Sequence, residues 1–157
     1  MAGLEMQLAS LPTVSFAAGE TVLATGSTSG QLLFLKEGAV EVVKDGVRIV
    51  RVAEPGAVFG EMSALLDQPH SADVKALKPS TFHVVEGGNV FLKADPVAAH
   101  AVAVILAQRL DALNRYLVDV RNQFRELDGH VGMLDEVIDS IVNKHPRNVA
   151  RRPSGGA

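Results

Sequence analysis

Pro55-Gly56-Ala57-Val58-Phe59-Gly60-Glu61-Met62-Ser63-Ala64-Leu65-Leu66-Asp67-Gln68-Pro69-His70-Ser71-Ala72-Asp73-Val74 is the stretch from which the fold of this chain is read. Val58-Phe59 brings in a strand, and Gly60, lacking a Cβ, lets another backbone approach closely. Glu61 to Leu66 contains no helix breaker and is expected to form one or two helical turns. The N–H groups at such a helix start have no intrahelical acceptor and favour an anion in front of them. A carboxylate there, Glu61, cannot hold phosphate, but it accepts hydrogen bonds from sugar hydroxyls.

Outward from this stretch, Val14 to Val85 consists of short Val-, Leu- and Phe-rich runs punctuated by glycines at 19, 26, 30, 38, 46, 56 and 60. That spacing reads as strands joined by turns. Gln31–Lys36 and Ala39–Val43 flank Glu37-Gly38. Asp45-Gly46 suits a type I′ hairpin because both residues tolerate positive φ. Val47–Val52, Val58-Phe59, Ser71–Leu77 and Thr81–Val85 supply further strands. About eight strands in this span predict a mainly β fold with flanking helices, an eight-stranded jelly-roll β-barrel, which disposes of exposed sheet edges. Before it, apolar residues at 4, 8 and 11 suggest a short helix that Pro12 stops.

The period changes at Asp95-Pro96, an N-cap acid followed by proline at the first helical position. Beyond it Ala103, Leu106, Leu110, Leu113, Leu117, Val120, Phe124 and Leu127 alternate steps of three and four, a heptad seam that continues through Val131, Leu134, Ile138 and Ile141. Gly129 and Gly132 each cost about 1 kcal/mol of helix propensity and predict a break near Asp128 to Gly132. Such a seam can pack on the protein's own barrel. A helix of about 30 residues is about 45 Å long, however, more than one small barrel covers, so a homodimer is expected through residues 106 to 127. The expected organisation is a first helix and barrel over 1–94, a long helix over 95–128, a short helix over 129–145 and a disordered tail over 146–157.

Composition excludes several functions. Aromatic residues make up 4% of the chain, too few for a base-stacking platform, and a net charge of −3 attracts no polyanion. The basic run Lys144–Arg152 contains Pro146, is followed by Pro153 and reads as solvated tail rather than a nucleic-acid arm. With no cysteine there is no disulfide or thiolate metal site, which fits a cytoplasmic protein. No stretch reaches about 18 uncharged apolar residues, so no membrane partner is expected. A metal-dependent enzyme on a jelly roll needs clustered ligands, whereas the five histidines, 70, 83, 100, 130 and 145, include no close pair. There is no Gly-x-Ser-x-Gly elbow or phosphate-binding loop ending in Gly-Lys-Ser/Thr, and Gly26-Ser27-Thr28-Ser29-Gly30 reads as a turn between strands. No catalytic or metal-binding residue is expected, and no cofactor.

The quoted stretch resembles the phosphate-binding cassette of the cyclic nucleotide-binding domain family, the sensor of catabolite-activator-type proteins, kinase regulatory subunits and gated channels. The pattern Phe-Gly-Glu-hydrophobic-small-Leu-Leu is matched by Phe59-Gly60-Glu61-Met62-Ser63-Ala64-Leu65-Leu66, and its continuation by Pro69-His70-Ser71-Ala72-Asp73-Val74. Phe16-Ala17-Ala18-Gly19-Glu20 and Leu33–Val42 resemble the family's first strands, and the likeness extends over about residues 12 to 127. It implies that Glu61 accepts from the ribose 2′-hydroxyl. It also implies that backbone N–H groups of Gly60, Glu61, Ser63, Ser71 and Ala72, with Met62 alongside, surround the cyclic phosphate of cAMP or cGMP. The long helix would form a lid whose movement carries the signal. Its Leu113-Asn114 corresponds to the base-contacting stretch, where Asn114 would either read the base edge or flank the seam; Tyr116 reads as flanking the seam rather than stacking on the base.

One position departs from the family. Its phosphate-pairing arginine falls on His70, which is mostly neutral at pH 7 and offers one donor at a time instead of a charged fork. A charge-assisted hydrogen bond contributes about 1.5 to 3 kcal/mol, so the replacement alone weakens binding by about 10- to 150-fold. Two readings follow. The protein is a stand-alone cyclic-nucleotide sensor, cAMP being favoured over cGMP, with His70 and Ser71 on the phosphate; or it is a scaffold for dimerisation or partner binding whose ligand has been lost. Residues 129 to 157 read as one helix and a tail, so no helix-turn-helix module is expected, and the output would pass through the dimer or an unidentified protein partner.

Overall fold

The computed structural model describes residues 2–125 and 131–143. Its elements are α1 (Ala2–Ala9), β1 (Thr13–Phe16), β2 (Thr21–Leu23), β3 (Leu32–Glu37), β4 (Val40–Lys44), β5 (Val47–Val52), β6 (Val58–Phe59), α2 (Glu61–Leu66), β7 (Asp73–Ala76), β8 (Ser80–Val85), α3 (Gly88–Ala94), α4 (Pro96–Gln123) and α5 (Val131–Asn143). The expected break near residue 128, Leu127 of the seam and the tail after 145 lie outside the described residues.

The eight strands form two antiparallel four-stranded sheets, ordered β1-β8-β3-β6 and β2-β7-β4-β5. This is the expected jelly roll, with one correction: the sheets do not close into a barrel. Closure requires ladder bonds between sheet edges. Here β1 and β6 end one sheet and β2 and β5 the other, and β6 is only two residues long. Asp45 (φ 51°) and Gly46 (φ 77°) make the β4–β5 turn with Lys44 opposite Val47, the geometry expected of Asp-Gly.

Between the sheets Leu23, Leu33, Leu35, Val40, Phe59, Val74 and Phe82 form the core. Phe82 meets Phe16 and Phe59 edge-on, with ring centroids 5.7 and 6.0 Å apart, the arrangement that aromatic quadrupoles favour. Successive strand residues point to opposite faces. Leu33 and Leu35 therefore enter this core while Leu32 and Phe34 turn the other way, yet all four are buried. Leu32 lies against Gly88 at the start of α3, so β3 is covered on both faces and anchors the fold. Ser80, 2% exposed, accepts from Ala39 N–H at 3.1 Å and lies 2.8 Å from the Lys78 carbonyl, to which it donates.

The chain divides into two compact units, Met1–Ile105 and Leu106–Ala157. In the first, Asp95 caps α4 as expected, its Oδ1 accepting from Val97 and Ala98 N–H at 3.1 Å each. Ala98, Ala101 and Val102 of α4 are buried. By length and composition α4 passes as a candidate membrane span, with a window of mean hydropathy 1.3; core helices give the same signal. In the second unit Leu110, Leu113 and Phe124 are 37 to 47% exposed, Leu106, Leu117 and Val120 are half-buried, and Arg121 pairs with Asp135 of α5 at 3.1 Å.

Candidate functional site

Gly60 joins β6 to α2 with φ 85° and ψ 2°, a left-handed conformation that an L side chain resists. A Cβ there would overlap the backbone carbonyl oxygen of Gln31 and lie 3.5 Å from Cε1 of His70. Glycine is thus required twice, by torsion and by space. The first intrahelical bond of α2 runs from Ala64 N to Gly60 O at 3.0 Å, so the N–H groups of Glu61, Met62 and Ser63 have no intrahelical acceptor. Glu61, Ser63 and Ala64 are buried; Met62, Leu65 and Leu66 are exposed. Ser63 Oγ donates to Gln68 O at 2.5 Å, and Asp67, at φ 52°, turns the chain back after α2. These contacts fold residues 60 to 70 into a closed loop that brings His70 beside the helix start.

The opposite wall is the segment from Thr25 to Gln31. Gly26 N–H donates to His70 O at 2.8 Å and His70 N–H to Ser27 O at 2.9 Å. Ser29 Oγ lies 3.0 Å from His70 Nε2 and accepts from Gln31 N–H at 3.3 Å. Thr25 N–H donates to Asp73 Oδ1 at 2.7 Å, Gly88 N–H to Gly30 O at 2.7 Å, and Gln31 Nε2 to Glu86 Oε1 at 2.7 Å. The segment is therefore a built wall pinned at several points, where the sequence suggested a flexible turn.

His70 is 6% exposed. Burial lowers its pKa from the ordinary histidine value, against an upward pull from the Glu61 carboxylate; the imidazole is neutral at pH 7. Asp73 is also lowered, by the Thr25 backbone N–H first and then the Thr25 side chain. The site thus combines a left-handed glycine, the N–H groups of a helix start, a buried carboxylate and a buried imidazole, a set that can bind an anion joined to a hydroxylated ring. Among the described residues no three His, Asp or Glu side chains converge as metal ligands would.

The family model of the cyclic nucleotide-binding domain matches residues 13–104, which include β1 to β8, α2 and α3. The chain belongs to the cyclic nucleotide-binding domain family. It is similar to the cAMP-dependent protein kinase regulatory subunit of Yarrowia lipolytica, 36% identical over 61 residues, 39% of this chain and 16% of that protein. It is also similar to Glutaminase 2 of Bradyrhizobium diazoefficiens, 43% identical over 68 residues, 43% of this chain and 11% of that protein. The chain thus spans less than a fifth of either relative. Its fold is that of the Thermus thermophilus catabolite activator protein, with a TM-score of 0.58 at 20% identity over 91% of this chain and 82% of that one. The N-terminal domain of a transcriptional regulator from Streptomyces coelicolor A3(2) gives 0.52 at 26% identity, over 74% and 85% of the two chains.

In this cyclic nucleotide-binding domain, Gly60, Glu61, Met62 and Ser63 lie together at the start of α2, and His70 is drawn beside Gly60. Ser71 is exposed and Ala72 half-buried on the approach to β7. Asn114 lies on α4 in the second unit, its Oδ1 buried with no hydrogen-bond partner among the described residues. Sequence reasoning missed Ser29, Gln31 and the whole wall to which they belong. No local signal marks them, because their importance comes from contacts with a residue some forty positions away.

Proposed function

We propose that this chain senses a cyclic nucleotide, bound over the start of α2, and is not itself an enzyme. The observation that carries the reading is the junction at Gly60, where a left-handed glycine against Gln31 presents the α2 N–H groups next to the buried carboxylate of Glu61. In this reading the N–H groups of Gly60, Glu61, Ser63, Ser71 and Ala72 hold the cyclic phosphate, with Met62 flanking it. Glu61 accepts from the ribose 2′-hydroxyl, and His70 donates to the phosphate. We favour cAMP over cGMP; a relative named as a cAMP-dependent kinase regulatory subunit supports that choice. Glutaminase activity forms no part of the proposal, since the matched segment is 11% of that relative.

The signal would leave through movement of α4 and through a homodimer along Leu106, Leu110, Leu113, Leu117, Val120, Phe124 and Leu127, or through a protein partner, in the cytoplasm. Exposure of Leu110, Leu113 and Phe124 supports the dimer. The test is calorimetric titration of wild type and Glu61→Ala with cAMP and cGMP. Loss of the ribose contact is expected to weaken binding by about 10-fold or more, as for hydrogen bonds to charged groups. Equal affinity in the two proteins would remove Glu61 from the site.

A second reading, a scaffold without ligand, is favoured by one observation: the His70 ring is buried and its Nε2 is already engaged within the protein by Ser29. The same titration decides between them.

A further inference from the structure

The sequence leaves open how a neutral imidazole does the work of an arginine, and the wall opposite the cassette supplies an answer. Imidazole has one ring proton when neutral, and which nitrogen carries it is set by what the other nitrogen meets. Nε2 of His70 meets Ser29 Oγ at 3.0 Å. That hydroxyl already accepts from Gln31 N–H, so donation of its own proton to Nε2 uses both of its roles. Cε1, the ring carbon between the two nitrogens, lies beside Gly60 at the start of the cassette. The backbone pair between His70 and residues 26 and 27 fixes the ring's root.

We propose that Ser29 is a positioning residue for the phosphate site: its hydroxyl donates to His70 Nε2, holding the ring proton on Nδ1 and aiming that N–H at the ligand's anionic oxygen. Ser29 does not itself touch the ligand. The assignment rests on the sensor reading above for its ligand, but its tautomer claim stands without one. Glu61 on α2 is the charged group acting on the ring; a proton on Nδ1 lets the imidazole serve as donor beside that carboxylate without acquiring charge.

Two measurements test this. Long-range proton–nitrogen NMR of the nucleotide-free protein at about pH 7.5, above the ordinary histidine range, reads the tautomer directly, the His70 signals being identified by their loss in His70→Gln. The Nδ1–H form is expected in wild type and a mixture of the two forms in Ser29→Ala. An Nε2–H ring in wild type overturns the assignment whether or not nucleotide binds. Calorimetry with cAMP then compares wild type, Ser29→Ala, His70→Arg and the double variant. Removing the hydroxyl should weaken binding by about 2- to 13-fold when His70 is present, the worth of one neutral hydrogen bond. It should change nothing when arginine is present, because a guanidinium has no tautomer to set. Equal losses in both backgrounds would mean that Ser29 acts on the loop rather than on the ring, and would overturn the proposal. If none of the four proteins binds nucleotide, the sensor reading fails and the aim at a ligand fails with it, while the NMR result separately decides the Ser29–His70 hydrogen bond.

Discussion

Replacing Gly60 by alanine and comparing it with the same change at Gly56 isolates the contact on which the site is built. Both glycines have nearly the same positive φ, 85° and 88°, so both substitutions carry the left-handed penalty of about 1 to 2 kcal/mol. They share equally the reduced freedom of the unfolded chain. Their surroundings differ: nothing lies within 4 Å of a Cβ at Gly56, whereas at Gly60 it overlaps the Gln31 carbonyl. That obstacle is backbone and has no rotamer to escape into, which adds about 1 to 3 kcal/mol, the range for overpacking. Gly60→Ala should therefore be destabilised by about 2 to 5 kcal/mol in all, and by about 1 to 3 kcal/mol more than Gly56→Ala. For a chain of this size each kcal/mol lowers the melting temperature by about 2 to 4 °C. Urea unfolding with unchanged m-values measures the difference. Equal destabilisation of the two variants would refute the close approach of the cassette to Gln31.

Stability should also depend on pH through the buried histidines. His70 is lowered chiefly by burial, as is His83, where Lys36 adds to the effect against a hydrogen bond with the Leu11 backbone. Below about pH 6.5 the unfolded chain takes up protons that these sites resist. The stabilisation is thus present above that pH and lost as pH falls through the lowered folded values; the free energy of unfolding should be smaller at about pH 5.5 than at about pH 7.5, with a weaker slope in His70→Gln. An unchanged slope in that variant would show that His70 titrates alike folded and unfolded. Asp95→Ala removes the α4 cap and should cost about 0.5 to 2 kcal/mol by chemical unfolding; no loss would mean that Val97 and Ala98 N–H find other acceptors. Leu110→Lys with Leu113→Lys should convert a dimer to a monomer in sedimentation at micromolar concentration, whereas a monomeric wild type would remove the dimer from the account.

The order of strands and helices was legible because hydrophobic period, glycine spacing and the Asp95-Pro96 start are local signals. The Asp45-Gly46 turn and the span Val47–Val52 follow from torsional preference alone. Whether the sheets close is a different matter: it depends on edge pairing that no single strand encodes, and the expected barrel is an open pair of sheets. The short helix α3 escaped notice because Gly87, at φ 62°, starts it without a capping side chain. In the site, the motif made Gly60 and Glu61 visible, but nothing near Ser29 or Gln31 in sequence predicts that they face His70. Their role exists only after the chain has closed. His70 itself stood out as a departure from a pattern, whereas its burial and its partner are properties of the folded protein.

The central claim is tested most directly by calorimetric titration of the wild-type protein with cAMP, with cGMP and His70→Arg run alongside. Saturable binding of cAMP, weaker binding of cGMP, and a gain of about 10- to 150-fold in His70→Arg, the worth of a charge-assisted hydrogen bond, are expected. The absence of heat with either nucleotide at millimolar concentration, in both proteins, would contradict it.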